Sequence, residues 1–316
     1  MVPRITRKRR KWILGSPQLI RMDYDQGILA VPRRLFSQNY IDGGCEGEPP
    51  KNTTTDDTLG CYATNYLILC VGVLAAMVFV RARERLERAG ASGVERGLAA
   101  AYAAFFALTG LGYGAAGVLH HRFALAPPGW WAAAYIIVLL GNAGLCGVGA
   151  LLTRGDAPST KWKLGVAATA LVNVAVILLV ASTQNMLACG VFTAVTLLVM
   201  IGVWLKHCGG RVGGGGCCKG TRVFLAGAIK AASGVVMIGG MLIQVALADV
   251  CGDPGYEDCW EDCPLPDPME FNHNALFHAL YAAGLLALAA GVLCDTADSW
   301  TATEKPTDPA KELERV

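Results

Sequence analysis

The chain has 316 residues, of which 53% are hydrophobic and only 16% are charged, and its net charge is +2 at pH 7. Soluble domains carry about 25% charged residues, so this composition excludes an ordinary soluble domain. The small net charge gives no indication of a nucleic-acid partner, because the basic residues lie in the connections between apolar segments.

The N-terminal part, residues 1–60, is polar and precedes the first apolar segment. It begins with a basic block at residues 4–11, and residues 1–22 contain no acidic residue. An organelle presequence has this composition, so a removable targeting segment is one interpretation and an outer or luminal segment is the other. Asn52-Thr53-Thr54 is a glycosylation sequon and predicts a glycoprotein.

Seven apolar segments follow this N-terminal part. They lie at 62–80, 98–119, 130–153, 164–182, 187–205, 223–248 and 275–294. Each approaches or exceeds the roughly 18–20 residues that a helix needs to cross the hydrocarbon of a bilayer. Backbone groups in lipid must bond internally, so these segments are expected to be helices. The sequence therefore predicts an all-α integral membrane protein, with a seven-transmembrane-helix bundle at 61–296 and a charged tail at 297–316.

The basic residues predict the orientation. Arginine and lysine are concentrated in the connections 81–97, 153–163 and 206–222, whereas the alternate connections hold only Arg122. The positive-inside rule then places the N-terminus outside or in a lumen and the C-terminus in the cytosol, in the plasma membrane or an endomembrane. Lys230 lies inside the sixth segment, and its long stem is expected to carry the ammonium group to the cytosolic interface.

Six cysteines fall on the predicted outer side of the membrane. They are Cys45, Cys61, Cys189, Cys251, Cys259 and Cys263. Oxidising compartments favour disulfides, so two or three bridges are expected, with their pairing open.

Four of the five histidines flank only two of the apolar segments. His120 and His121 end the second segment, and His273 and His278 begin the last one. These ends are expected to meet at one face of the membrane, and Asn274 shares a helix face with His278 because the two are four residues apart. One of the first pair, together with His278 and either His273 or Asn274, would give a zinc ion three protein ligands and one open position, which is the catalytic arrangement.

This pattern resembles a known superfamily. Seven spans, a histidine that ends the second and a histidine pair that opens the seventh are similar to the membrane metal hydrolases that include alkaline ceramidases, adiponectin-type progestin receptors and lipid-remodelling enzymes of GPI anchors. The resemblance implies a zinc held by three histidines and a lipid amide or ester as substrate. It covers the bundle but not the first sixty residues or the tail.

The chain departs from the superfamily's pattern at several positions. Asn274 stands where the last span typically has the first histidine of His-x-x-x-His, and Ala116 and Gly117 stand where a serine typically precedes the second-span histidine by four residues. A carboxylate from the acidic connection 249–272, at Asp249, Asp267 or Glu270, is the candidate general base.

We therefore expect a zinc-dependent membrane hydrolase that acts on a lipid amide or ester, and two other functions remain open at the sequence level. The first is a non-catalytic receptor or ligand-binding protein with a structural metal site and membrane lipids as partners. The second is electron transfer through haem held by paired histidines.

Overall fold

The computed structural model describes residues 59–122, 128–154, 158–184, 186–212, 217–247, 264–265 and 271–301, and within these ranges the chain forms helices and no strand. The helices are α1 (Leu59–Arg88), α2 (Gly93–Arg122), α3 (Pro128–Thr153), α4 (Thr160–Thr183), α5 (Met186–Val212), α6 (Cys217–Leu247) and α7 (His273–Thr301). All seven contain a stretch long and apolar enough to cross a membrane. The prediction of an all-α seven-helix membrane bundle is confirmed.

Some predicted features lie outside the described residues. They are the basic N-terminal block, the sequon at Asn52, and the candidate general bases Asp249, Asp267 and Glu270. Four of the six cysteines that are predicted on the outer side also lie there, at 45, 251, 259 and 263.

Local sequence signals set the helix ends. Ser92 and Glu95 form a capping box before α2, in which the Ser92 N–H donates to the Glu95 carboxylate at 3.0 Å and the Glu95 N–H donates to the Ser92 hydroxyl at 3.3 Å. Gly90 follows α1 with a φ of +66°, a left-handed conformation that glycine adopts without strain. A short connection of this kind makes α1 and α2 antiparallel neighbours.

The packing order places six helices in a ring. α1 packs against α2 and α7, α2 against α3, α3 against α5, α5 against α6, and α6 against α7. α4 lies outside this ring and packs against α3 and α5. Of its residues only Asn173 and Val180 are buried, so most of the α4 surface is available to lipid.

Glycines bring the backbones of α1 and α2 into contact. A Cβ added to Gly72 would lie 2.6 Å from the Phe106 carbonyl oxygen and 2.7 Å from the Gly110 Cα. A Cβ added to Gly117 would lie 2.9 Å from the Cβ of Asn65. Small residues permit this close approach of membrane helices. The approach holds the start of α1 against the end of α2, where the sequence has its histidine pair.

Lys230 forms an ion pair inside the bundle, and its position relative to the cytosolic interface stays a prediction. Its ammonium group lies 2.7 Å from a carboxylate oxygen of Asp295 on α7, and the two side chains are only 2% and 6% exposed. Gly291 leaves room for the lysine stem, since a Cβ there would lie 2.9 Å from the Lys230 Cγ. The buried Asp295 carboxylate compensates the charge of the lysine. The ion pair joins α6 to α7.

The disulfide prediction is wrong for the two described cysteines that the sequence predicts on the outer side. Cys61 and Cys189 are both buried in the bundle as thiols. Each lies on the inward face of its helix.

Removing one member of the ion pair is expected to destabilise the bundle more than removing both. Lys230→Met removes the Lys230 ammonium from the buried Asp295 carboxylate, and breaking a buried pair in this way costs about 3–5 kcal/mol. Lys230→Met combined with Asp295→Leu removes both charges and is expected to restore most of the loss. Unfolding of the purified variants in detergent measures this, and a double variant as unstable as the single one would contradict the assignment.

Candidate functional site at the histidine end

The two ends of the bundle differ in chemistry. We call the end where α1 and α7 begin and α2 ends the histidine end. The first turns of α1 present two faces there, because residues four apart share one side of a helix. Cys61 and Asn65 face α7, while Tyr62 and Tyr66 contact the end of α2.

The His278 imidazole is buried and is held by α1. The Asn65 Nδ2 donates to the Cys61 carbonyl oxygen at 3.0 Å and to the His278 Nδ1 at 3.1 Å. The Cys61 Sγ lies 4.0 Å from the same Nδ1, and the Tyr113 ring packs edge-on against the imidazole with centroids 5.6 Å apart. Asn65 is 0% exposed and His278 is 6% exposed, so these polar groups meet away from solvent.

The hydrogen-bond directions in this cluster follow from what each atom can do. The Cys61 carbonyl only accepts, so the amide nitrogen of Asn65 must face it rather than the amide oxygen. The amide nitrogen only donates, so the His278 Nδ1 accepts and a neutral imidazole carries its proton on Nε2. The lone pair of Nδ1 is therefore occupied by Asn65 in this arrangement.

Two buried polar atoms near His278 have no hydrogen-bond partner in the described part of the chain. They are the Oδ1 of Asn65 and the hydroxyl of Tyr281. Tyr281 is 0% exposed and lies one turn after His278, and its ring and the imidazole both pack against Tyr113, with the two tyrosine centroids 5.0 Å apart. Buried polar groups of this kind call for a water, an ion or a ligand.

The second-span histidines have different surroundings. His121 is exposed, stacks on Tyr62 with centroids 4.4 Å apart, and has its Nδ1 3.3 Å from the Tyr66 hydroxyl. His120 packs edge-on against Trp131 of α3 with centroids 4.8 Å apart. Adjacent helical residues point about 100° apart, so the two imidazoles contact different helices.

The start of α7 also contacts α6. Asn272 caps α7, because its Oδ1 accepts from the N–H groups of Asn274 at 3.0 Å and Ala275 at 3.1 Å. The Asn274 side chain accepts a hydrogen bond from the Gln244 Nε2 at 2.6 Å. Asn274 and His273 are buried, with exposures of 2% and 1%.

The positions of the four histidines and Asn274 do not bring together the three ligands of the predicted zinc site. Among the described residues, no three histidine, cysteine or acidic side chains come together in a way that would hold a metal. His278 is hydrogen-bonded to Asn65 of α1, and Asn274 is hydrogen-bonded to Gln244 of α6. His120 and His121 contact aromatic rings. Zinc binding by this protein stays a prediction.

Sequence reasoning missed two residues of this site. Asn65 and Gln244 were not among its candidates, and Cys61 entered only as a disulfide partner. The available signal was the spacing Cys61-x-x-x-Asn65 at the start of an apolar segment, which places a thiol and an amide on one helix face.

No known protein family, no curated protein and no solved structure matches this chain. The resemblance to the membrane metal hydrolases therefore stays a prediction that rests on the spans and the histidines.

The His278 cluster is expected to contribute to stability, unlike the exposed histidine beside it. His278→Ala leaves a buried N–H of Asn65 without its acceptor, which costs about 1–3 kcal/mol. His121→Ala removes an exposed ring and is expected to cost about 0.5 kcal/mol. Unfolding of the two variants in detergent is the measurement, and equal losses would contradict the role of His278.

Proposed function

We propose that this protein is a seven-helix receptor or lipid-binding membrane protein whose ligand binds at the histidine end. The observation that carries the proposal is the buried cluster around His278, with an amide oxygen of Asn65 and a hydroxyl of Tyr281 that have no partner in the described part of the chain. Leaving such an atom unsatisfied costs about 1–3 kcal/mol. A ligand with complementary groups recovers that free energy on binding.

The depth of the cluster supports a lipid as the ligand. Cys61 and His278 lie within the first two turns of α1 and α7, so they are within about 8 Å of the helix starts. Tyr62, Tyr66 and Trp130 at the same end suit a membrane–water interface, where aromatic residues are enriched. The polar linkage between the head group and the chains of a lipid lies near this level of a bilayer.

The unpartnered atoms favour an amide or ester in the ligand. An amide N–H or a hydroxyl of the lipid would donate to the Asn65 Oδ1, and a lipid carbonyl would accept from the Tyr281 hydroxyl. Both contacts form in surroundings of low polarity, where hydrogen bonds contribute more than they do in water.

A second candidate is a zinc-dependent hydrolase of the same lipid class. It is favoured by the burial of both His273 and His278 at the start of α7, where the superfamily that the sequence resembles has its last-span histidines. The two candidates share a ligand and differ in turnover, so one experiment separates them.

Tyr281→Phe is expected to weaken lipid binding about 3–10-fold, the value of one hydrogen bond, without lowering the stability of the unliganded protein. The variant removes an oxygen that has no partner in the part of the chain described. Tyr102→Phe is the matched control, since the Tyr102 hydroxyl accepts from the Trp204 Nε1 at 3.2 Å elsewhere in the core. Affinity is measured by thermal stabilisation of the purified protein with an N-acylethanolamine and a monoacylglycerol.

Mass spectrometry of the same samples distinguishes the candidates. Intact lipid retained by the protein supports the receptor or lipid-binding function. Release of the free fatty acid by the wild type, lost in His278→Ala, would favour the hydrolase instead. If neither lipid binds nor is cleaved, or if Tyr281→Phe binds like the wild type, the proposed site is wrong.

A further inference from the structure

The last turns of α1 carry three arginines along one face. Arg81, Arg85 and Arg88 lie on the same side of the helix because of their spacing, and all three are exposed. We call these three residues the arginine face. Another side of the same turns packs on the core through Ala82 and Leu86, which are 7% and 1% exposed. This packing holds the arginine face in a fixed position on the bundle.

The charge of the arginine face is not balanced by an anionic side chain in the described part of the chain. No carboxylate there forms an ion pair with these arginines, and Arg88 donates to the backbone carbonyl of Glu84 at 3.4 Å. Glu84 and Glu87 lie about 60° and 120° from Arg81 around the helix axis. Like charges at positions i and i+4, such as Arg81 and Arg85, destabilise a helix. A bound anion would remove that repulsion.

The helix dipole does not account for the whole face. Arg85 and Arg88 lie in the last turn of α1, where cations interact favourably with the C-terminal end of a helix. Arg81 lies a further turn back, and the effect of the dipole falls off within the last turn. A role for the arginine face therefore has to account for Arg81.

The arginine face begins where the apolar part of α1 ends. From Leu59 to Val80 the helix contains no charged residue, and this part is about 32 Å long at 1.5 Å per residue. The hydrocarbon of a bilayer is about 30 Å thick. A bilayer that surrounds the apolar part of α1 thus has the phosphates of one leaflet near Arg81.

The same side of α1 continues from the arginine face as an apolar surface. Leu74, Met77 and Val78 lie one to two turns before Arg81 on this side, and they are 64%, 49% and 43% exposed. Acyl chains that pack on these three residues belong to lipids whose headgroups lie beside the arginines. The surface therefore has the two parts that a phospholipid has, in the same order.

We propose that the arginine face binds the headgroups of anionic phospholipids, with the guanidinium groups on the lipid phosphate. The guanidinium offers phosphate two parallel N–H donors. Side chains three or four residues apart on a helix have their Cβ atoms about 5–6 Å apart, so two arginines can contact one phosphate. Basic residues next to a membrane span attract lipids with a net negative charge. The occupant is a lipid of the surrounding bilayer, because the apolar surface is continuous with the arginines.

This lipid surface lies at the opposite end of the bundle from the proposed ligand site. Arg81 is about 30 Å along α1 from Cys61. The two sites share no residue, and the ligands that test the histidine end carry no net charge. Each proposal can therefore be correct when the other is wrong.

Native mass spectrometry of the purified full chain in a neutral detergent tests the proposal. The lipids are dioleoylphosphatidylserine, which is anionic, and dioleoylphosphatidylcholine, which has the same chains and no net charge. The wild type is expected to bind the serine lipid about 10–100-fold more tightly, since each basic residue near an anionic lipid contributes about fivefold. The arginine variant, with Arg81→Gln, Arg85→Gln and Arg88→Gln, is expected to lose this preference and to bind the choline lipid like the wild type.

The matched control removes three exposed cations from the same end of the bundle. It combines Arg154→Gln, Lys161→Gln and Lys163→Gln, at the end of α3 and the start of α4. The control is expected to keep the preference for the serine lipid. Melting temperatures of all variants in detergent show which of them are folded.

A second variant tests the proposal without removing an arginine. Glu84→Gln combined with Glu87→Gln removes two negative charges beside the arginine face and is expected to tighten binding of the serine lipid about threefold or more. The proposal is overturned by a wild type that shows no preference, by a preference that survives the loss of the arginine face, or by a control that loses it equally, which would indicate a diffuse surface charge. If the arginine variant does not fold, an unchanged affinity of the glutamate variant overturns the proposal.

Discussion

The Asn65 side chain is fully buried inside the bundle, away from water, and the arrangement of the histidine end follows from that constraint. A buried amide must find its partners inside the protein. Asn65 finds one in its own helix, at the Cys61 carbonyl, and one across the interface, at the His278 imidazole. The rotation of α1 against α7 is thereby specified by a polar contact, whereas apolar packing alone would tolerate neighbouring rotations.

Helix α1 contacts two histidines that differ in their surroundings. The inward face of α1 holds His278 in a buried cluster, and its other face stacks Tyr62 on the exposed His121. At the opposite end the Lys230–Asp295 pair joins α6 to α7, about 26 Å along α7 from His278. Polar contacts at both ends of α7 therefore fix this helix in the ring.

The architecture could be predicted from the sequence, but the arrangement of the side chains in the site could not. The length and apolarity of a span are local properties, so seven helices followed directly from the composition of seven segments. The partner of Lys230 could not be predicted, because Asp295 is 65 residues away and their contact depends on how α6 packs against α7. The histidine cluster was predicted from shared depth alone, but depth does not fix rotation. Adjacent His120 and His121 contact different helices, and His278 faces Asn65, whose importance depends on a contact 213 residues away.

Unfolding of a double-mutant cycle at Asn65 and His278 tests this account most directly. The account predicts that Asn65→Ala and His278→Ala in combination cost less than the sum of the single losses, with a coupling of about 0.5–3 kcal/mol, because either change alone removes the same hydrogen bond. The reference cycle pairs Asn65→Ala with His121→Ala, for which no hydrogen bond is shared and the losses are expected to add. Additive losses in the Asn65–His278 cycle would contradict the central contact and every proposal that depends on it.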